Sequence, residues 1–109
     1  MTEKLAEQII LSILEYRNQG IEDEEIIISK LEIDYHDSNI DFDWFLEMMN
    51  AGAARAMVTI SLGSYPNSNV TNDIVNKVAF KIYWIEQKGE EDYHKRFPPS
   101  SKKWWQVFK

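Results

Sequence analysis

Asp34, His36, Asp37, Asp41 and Asp43 fall within ten residues of one another. Carboxylates grouped with an imidazole are the side chains that ligate a hard divalent ion or move protons in general acid–base catalysis. The spacing fits no known ligand loop. A calcium-binding EF-hand loop alternates acids toward an obligatory glycine and closes on a glutamate, and that glycine is missing here. Alternation of Leu31, Ile33 and Tyr35 with Glu32, Asp34 and His36 puts Asp34 and His36 on the solvated face of a strand. Asp41 and Asp43 stand just ahead of an apolar helical pattern, where an acid serves as a cap. Ordinary structural roles therefore account for the group.

The second histidine, His94, sits among Glu91, Asp92, Tyr93, Lys95 and Arg96, a charged surface segment. With two histidines and no cysteine, one chain can build neither a multi-histidine nor a thiolate metal site. No Ser-His-Asp ordering, glycine-rich phosphate loop or HExxH pattern occurs. The reactive inventory leads to the expectation of a protein that is not an enzyme and carries no metal and no cofactor.

Charge is the more informative feature. The chain has net charge −6, but residues 95–109 contain five basic groups and no acid. The first 94 residues thus carry seven basic groups against eighteen acidic ones, a net of −11. Such a body repels polyanions and attracts basic partners. Glu22, Asp23, Glu24 and Glu25, followed by Glu32, Asp34, Asp37, Asp41, Asp43 and Glu47, make the densest acidic tract. Tyr35, Trp44 and Phe45 lie beside these acids, and aromatic anchors ringed by polar groups are how interface hot spots are built. The expected partner-binding set is Glu22, Glu24, Glu25, Asp34, Asp37, Asp41, Asp43 and Trp44, directed at a basic protein. The opposing reading is a solvated face that keeps the chain soluble.

The C-terminal stretch supplies the alternative. Lys95, Arg96, Lys102, Lys103, Trp104 and Trp105 combine cations with stacking rings, as single-stranded nucleic-acid contacts do. The same rings also suit a strap tucked onto the fold with the lysines outside.

By composition, a small, acidic, aromatic-rich, cysteine-free domain is the type to which stoichiometric inhibitors such as immunity and anti-defence proteins belong. The expected function is accordingly a non-enzymatic protein-binding module or inhibitor. A nucleic-acid-binding protein and a viral or mobile-element assembly subunit, which would self-associate, are the alternatives. No segment has the length of an apolar membrane span, and MTEKLAEQ has neither the basic nor the apolar region of a signal peptide. No membrane partner and a cytoplasmic location are expected.

A chain of 109 residues suits one domain, here residues 1–97, followed by a basic aromatic tail, 98–109. The elements that must position the acids are read as follows. Residues 2–19 predict a helix: Leu5, Ile9, Ile13 and Tyr16 recur at helical spacing, Thr2 caps the start and Gly20 follows the end. Residues 30–36 alternate as a strand, preceded by an acidic turn or short helix. A second helix over 41–50 stops near Gly52, since glycine is unfavourable inside a helix. Residues 54–64 and 76–87 alternate in apolar character and read as a long-tipped β-hairpin. A short polar helix opens at Gly89, and Pro98-Pro99 ends it. The expected fold is α+β: an N-terminal helix on a three- to four-stranded antiparallel sheet, with the second helix inserted before the main hairpin. A winged-helix-like arrangement is the alternative.

Overall fold

Helices account for every regular element that the computed structural model shows over the residues it describes, 1–63 and 73–97. Helix α1 (Glu3–Asn18) begins where Thr2 leaves extended backbone and its Oγ1 accepts the Leu5 N–H at 3.1 Å. Its other end is a Schellman turn. Gly20 adopts φ 95°, so the Gly20 N–H reaches the Arg17 carbonyl at 3.0 Å and the Ile21 N–H reaches the Tyr16 carbonyl at 3.0 Å. Ala6, Ile9, Ile10 and Ile13 are fully buried; of the stripe expected from the sequence, Ile9 and Ile13 are thus in the core, with Leu5 and Tyr16 half-buried at its margin.

Aspartates start the next three helices. Asp23 caps α2 (Glu24–Asp34) by accepting the Glu25 N–H at 2.9 Å. Asp41 caps α3 (Phe42–Leu62) through the N–H groups of Asp43 and Trp44. Asp73 caps α4 (Ile74–Lys88) through the Asn76 N–H at 3.0 Å. Each such cap is worth about 1 kcal/mol. The short α5 (Glu90–Arg96) carries acids in its first turn and His94, Lys95 and Arg96 in its last, the order its dipole favours.

Helix α4 packs against α1, α3 and α5, and α2 joins α1 to α3. Two apolar clusters result. The larger holds the α1 isoleucines, Ile27 and Leu31 of α2, Phe45 and Met49 of α3, and Val75 and Ala79 of α4. The smaller is aromatic: Phe80 and Trp84 of α4 meet Ala56 of α3, with Tyr93 and Phe97 packed over them. Phe97 stands edge-on to both Phe80 and Trp84, at centroid separations of 5.3 and 5.0 Å. Edge-to-face pairs of this kind add about 0.5–1.5 kcal/mol to burial alone.

The expected antiparallel sheet is overturned, and so is the hairpin wing of the winged-helix alternative: no strand occurs among the described residues. Residues 30–34 belong to α2, 54–62 to α3 and 76–87 to α4. The alternation that suggested strands has a physical source in each helix. On α4, Val78 and Ile82 follow one helical stripe into the larger cluster, while Phe80 and Trp84 follow the adjacent stripe into the smaller. Two interleaved stripes with i, i+4 spacing read as period two. On α3, alanines occupy so many positions that apolar character fits either period; the buried positions Ala53, Ala56 and Thr59 recur every three residues.

Gly52 does not end α3. The helix runs through it, and α4 comes close here: a Cβ at Gly52 would lie 2.3 Å from the Asn76 carbonyl oxygen. The connection between α3 and α4, expected as the hairpin tip, lies outside the described residues apart from its ends.

Candidate functional site

Between Glu22 and Glu47 the chain holds ten acids and a single lysine. The fold distributes them over α2, the turn after it, and the first turns of α3. Ile27 and Leu31, one helical turn apart and fully buried, anchor α2 against the core. The same register turns Glu22, Glu24, Glu25 and Glu32 to solvent, and with them Ile26 and Ile33, which are 48% and 73% exposed. Asp23, Glu25, Ile26, Ser29, Lys30 and Ile33 line a shallow concavity of about 430 Å³. The lone lysine, Lys30, lies 5.7 Å from the centroid of the Tyr16 ring and so is held toward α1. The outer surface of α2 is therefore acidic with two apolar centres.

A second concavity, about 400 Å³, opens at the other end of α2, where Glu32, Tyr35, His36 and Asp41 contribute to its wall. Tyr35 is fixed by a 2.9 Å hydrogen bond between its hydroxyl and that of Ser12, and Ser38 Oγ donates to the Tyr35 carbonyl at 2.6 Å. His36 and Asp37 form a 3.3 Å pair in which both side chains are largely exposed. Such a pair contributes little to stability.

The structure separates the expected binding residues by role. Glu22, Glu24, Glu25, Asp37 and Asp43 are exposed. Trp44, 37% exposed, follows Asp43 on the first turn of α3, and Glu47 lies one turn further on. Asp41 is committed to capping α3. Asp34 accepts a hydrogen bond from the Tyr16 hydroxyl, and this bond to the carboxylate pushes the Tyr16 pKa up to about 12. These two acids thus hold the fold together, and neither is a free contact. Nor do the remaining acids form one point-like site: α2 is roughly 16 Å long at 1.5 Å per residue, which places Glu24 and Glu25 at the far end from the α2–α3 turn. The exposed isoleucines escaped the sequence reading. Three consecutive isoleucines on a helix must turn at least one outward, a signal that follows from the short-helix reading of the segment before residue 30 but not from the acidic-turn one.

The acid–imidazole group does not converge on a metal position. Among the described residues no three His, Asp or Glu side chains are placed to hold an ion.

The nucleic-acid alternative rests on residues of which only Lys95 and Arg96 are described; Lys102, Lys103, Trp104 and Trp105 lie outside the described residues. Lys95 is exposed. Arg96 is engaged within the fold: its Nε lies 3.2 Å from Asp92, and its guanidinium sits 5.9 Å from the Trp84 ring centroid. Asp92 in turn accepts the Trp84 indole N–H at 2.8 Å. That bond, reinforced by Arg96, draws the Asp92 pKa below the usual carboxylate range.

Arg55 is the feature that sequence inspection missed. Its guanidinium carbon sits over Phe80, 4.3 Å from the ring centroid, and its Nη2 donates to the Asn76 side-chain oxygen at 3.0 Å. Asn76 then donates to the Met48 carbonyl at 3.3 Å, so the buried amide is bonded on both sides. Burial pushes the Arg55 pKa down.

Among the described residues no helix is long and apolar enough to cross a membrane. Comparison of the chain with family models, curated proteins and solved structures finds no match.

Proposed function

We propose that this protein is a non-enzymatic binding module whose acidic face, carried by α2 and the first turns of α3, docks on a basic surface of another protein, with stoichiometric inhibition as the expected consequence. One observation carries the reading: Ile26, Ile33 and Trp44 remain exposed among Glu22, Glu24, Glu25, Asp43 and Glu47. Apolar anchors give a contact its affinity once water is excluded, while surrounding like charges speed encounter with an oppositely charged partner and reject others. A face that served solubility alone would need the acids but not the exposed isoleucines.

The test replaces Glu22, Glu24, Glu25 and Asp43 together by lysine. Asp41 is left alone because its loss would unpick α3. Nuclease-treated lysate from the cell that makes the protein is passed over immobilised wild type and variant. A basic protein retained by the wild type and lost from an equally stable variant supports the reading. Equal retention by both, or retention that disappears with nuclease treatment, overturns it.

A further inference from the structure

A groove of about 430 Å³ lies between α1, α4 and α5 and shares no residue with the acidic face. Val78, Ile82 and Ile85 of α4 give it an apolar lining, to which Tyr93 of α5 adds a half-buried ring. Glu3 and Glu7 border it from α1, and Lys77 and Lys81 from α4. The Lys81 Nζ lies 5.7 Å from the Tyr93 ring centroid. Burial pushes the Tyr93 pKa up, and Glu3 is near enough to add to the rise. Among the described residues neither glutamate is in an ion pair, and nor is Lys77. Charges of opposite sign therefore flank the groove without pairing across it.

The chain passes beyond the described residues beside this groove: Phe97 packs on Tyr93, with ring centroids 5.1 Å apart. Residues 98–109 follow, with Lys102, Lys103 and Lys109, the rings of Trp104, Trp105 and Phe108, and no acid. From Lys77 to Ile85 the groove runs about 12 Å along α4 at 1.5 Å per residue. An extended chain spans that distance in about four residues, so the stretch after Phe97 is long enough to reach all of it. From these features we infer that residues 102–108 dock in the groove of their own chain, with Trp104 and Trp105 against Val78, Ile82 and Ile85, and Lys102 and Lys103 toward Glu3 and Glu7.

Charge decides the side on which each group lies. The tail lysines are attracted by the α1 glutamates and repelled by Lys77 and Lys81. The indoles therefore take the α4 side, where a cation can sit over a ring as Lys81 does over Tyr93. Covalent linkage favours this occupant over a separate one, since a short tether holds the tail near the groove at an effective concentration of the order of millimolar. Two tryptophans left in water would also be an aggregation liability. Seated in this way, the tail is withdrawn from the nucleic-acid contacts expected of it. The acidic face contributes nothing to the groove, so this inference and the proposed function fail separately.

The test is methyl NMR of the full chain, wild type against Trp104→Ala with Trp105→Ala. Loss of the indole rings is expected to shift the methyl resonances of Ile82 and Ile85 and to leave those of Ile26 and Ile33 on α2 in place, with unchanged circular dichroism. Because the chain has no cysteine, oxidation gives an independent reading. Lys77→Cys with Gln106→Cys is expected to form a disulfide within one chain, and to close about tenfold more slowly once both tryptophans are alanine. Unmoved Ile82 and Ile85 resonances overturn the proposal, as does a closing rate indifferent to the tryptophans. Shifts at Ile26 and Ile33 instead would put the tail on the acidic face, and a disulfide between two chains would put it on a second copy; either result also overturns it.

Discussion

Gly52 of α3 faces the main chain of Asn76 on α4 with no room between them: a Cβ would stand 2.3 Å from the Asn76 carbonyl oxygen and 3.0 Å from the Ala79 side chain. This contact allows the small residues of α3 to lie against α4, and it sets the Asn76 amide between Arg55 and the Met48 carbonyl.

Gly52→Ala therefore sets two effects in opposition. Alanine gains about 1 kcal/mol of helix propensity. The new methyl meets backbone, which cannot rotate aside, and forcing packed helices apart costs about 1–3 kcal/mol. The backbone clash dominates at this spacing. Urea unfolding is expected to show Gly52→Ala less stable than wild type, by up to about 2 kcal/mol.

Arg55 also holds α3 to α4, through Phe80 and Asn76. Arg55→Met keeps an apolar stem over Phe80 but removes the stacked cation and the hydrogen bond to Asn76. A loss of about 1–2 kcal/mol is expected. Arg55→Lys should not restore it, because an ammonium cannot lie flat on the ring and reach the amide together. Equal stability of the lysine variant and the wild type in chemical unfolding would refute this account.

Tyr16 supplies a test at high pH. Its pKa rises from an ordinary 10.0 to about 12, first because its hydroxyl donates to Asp34. The folded state holds the proton more tightly than the unfolded one, so the bond's contribution is complete below about pH 10. It is lost as pH climbs toward 12. Ultraviolet titration is expected to show one tyrosine ionising near 12, absent in Tyr16→Phe and moved back toward the ordinary value in Asp34→Asn.

Asp92 behaves in the opposite sense. The Trp84 indole N–H, and after it Arg96, hold its pKa below the ordinary 3.8. Its contribution is present above that value and disappears as pH falls through the lower folded value. Acid titration followed by tryptophan fluorescence is expected to show Trp84 becoming solvated in step with the release of α5. In Asp92→Asn, which can still accept from the indole but cannot pair with Arg96, the acid-dependent step should be lost.

The charges of the candidate site were legible from composition, and its exposed apolar centres were not. Glu22, Glu24, Glu25 and Asp43 are solvent-facing as expected, since unpaired acids have no stable place in an apolar core. Asp34 and Asp41 belong to the same acidic tract. The capping role of Asp41 was readable from its place ahead of an apolar helical pattern, whereas only the approach of Tyr16 from α1 shows that Asp34 is used internally. Ile26 and Ile33 became visible as surface residues only when Ile27 and Leu31 were seen to fix the rotation of α2.

By itself the sequence determined what local chemistry specifies. That includes α1 with its threonine cap and glycine-closed end, the start of α5 at Gly89, and the charge asymmetry. Those features depend on residues a few positions apart and so survive without knowledge of the partner helices. Tertiary structure decided the rest: α2 is a helix despite three consecutive isoleucines, α3 continues through Gly52, and α4 is a helix whose two buried stripes mimic a strand. Short apolar segments satisfy both periods, and the preference between them is small. Burying two faces of α4 against different neighbours, with Gly52 allowing close approach on one side, supplies the larger energy and settles the choice.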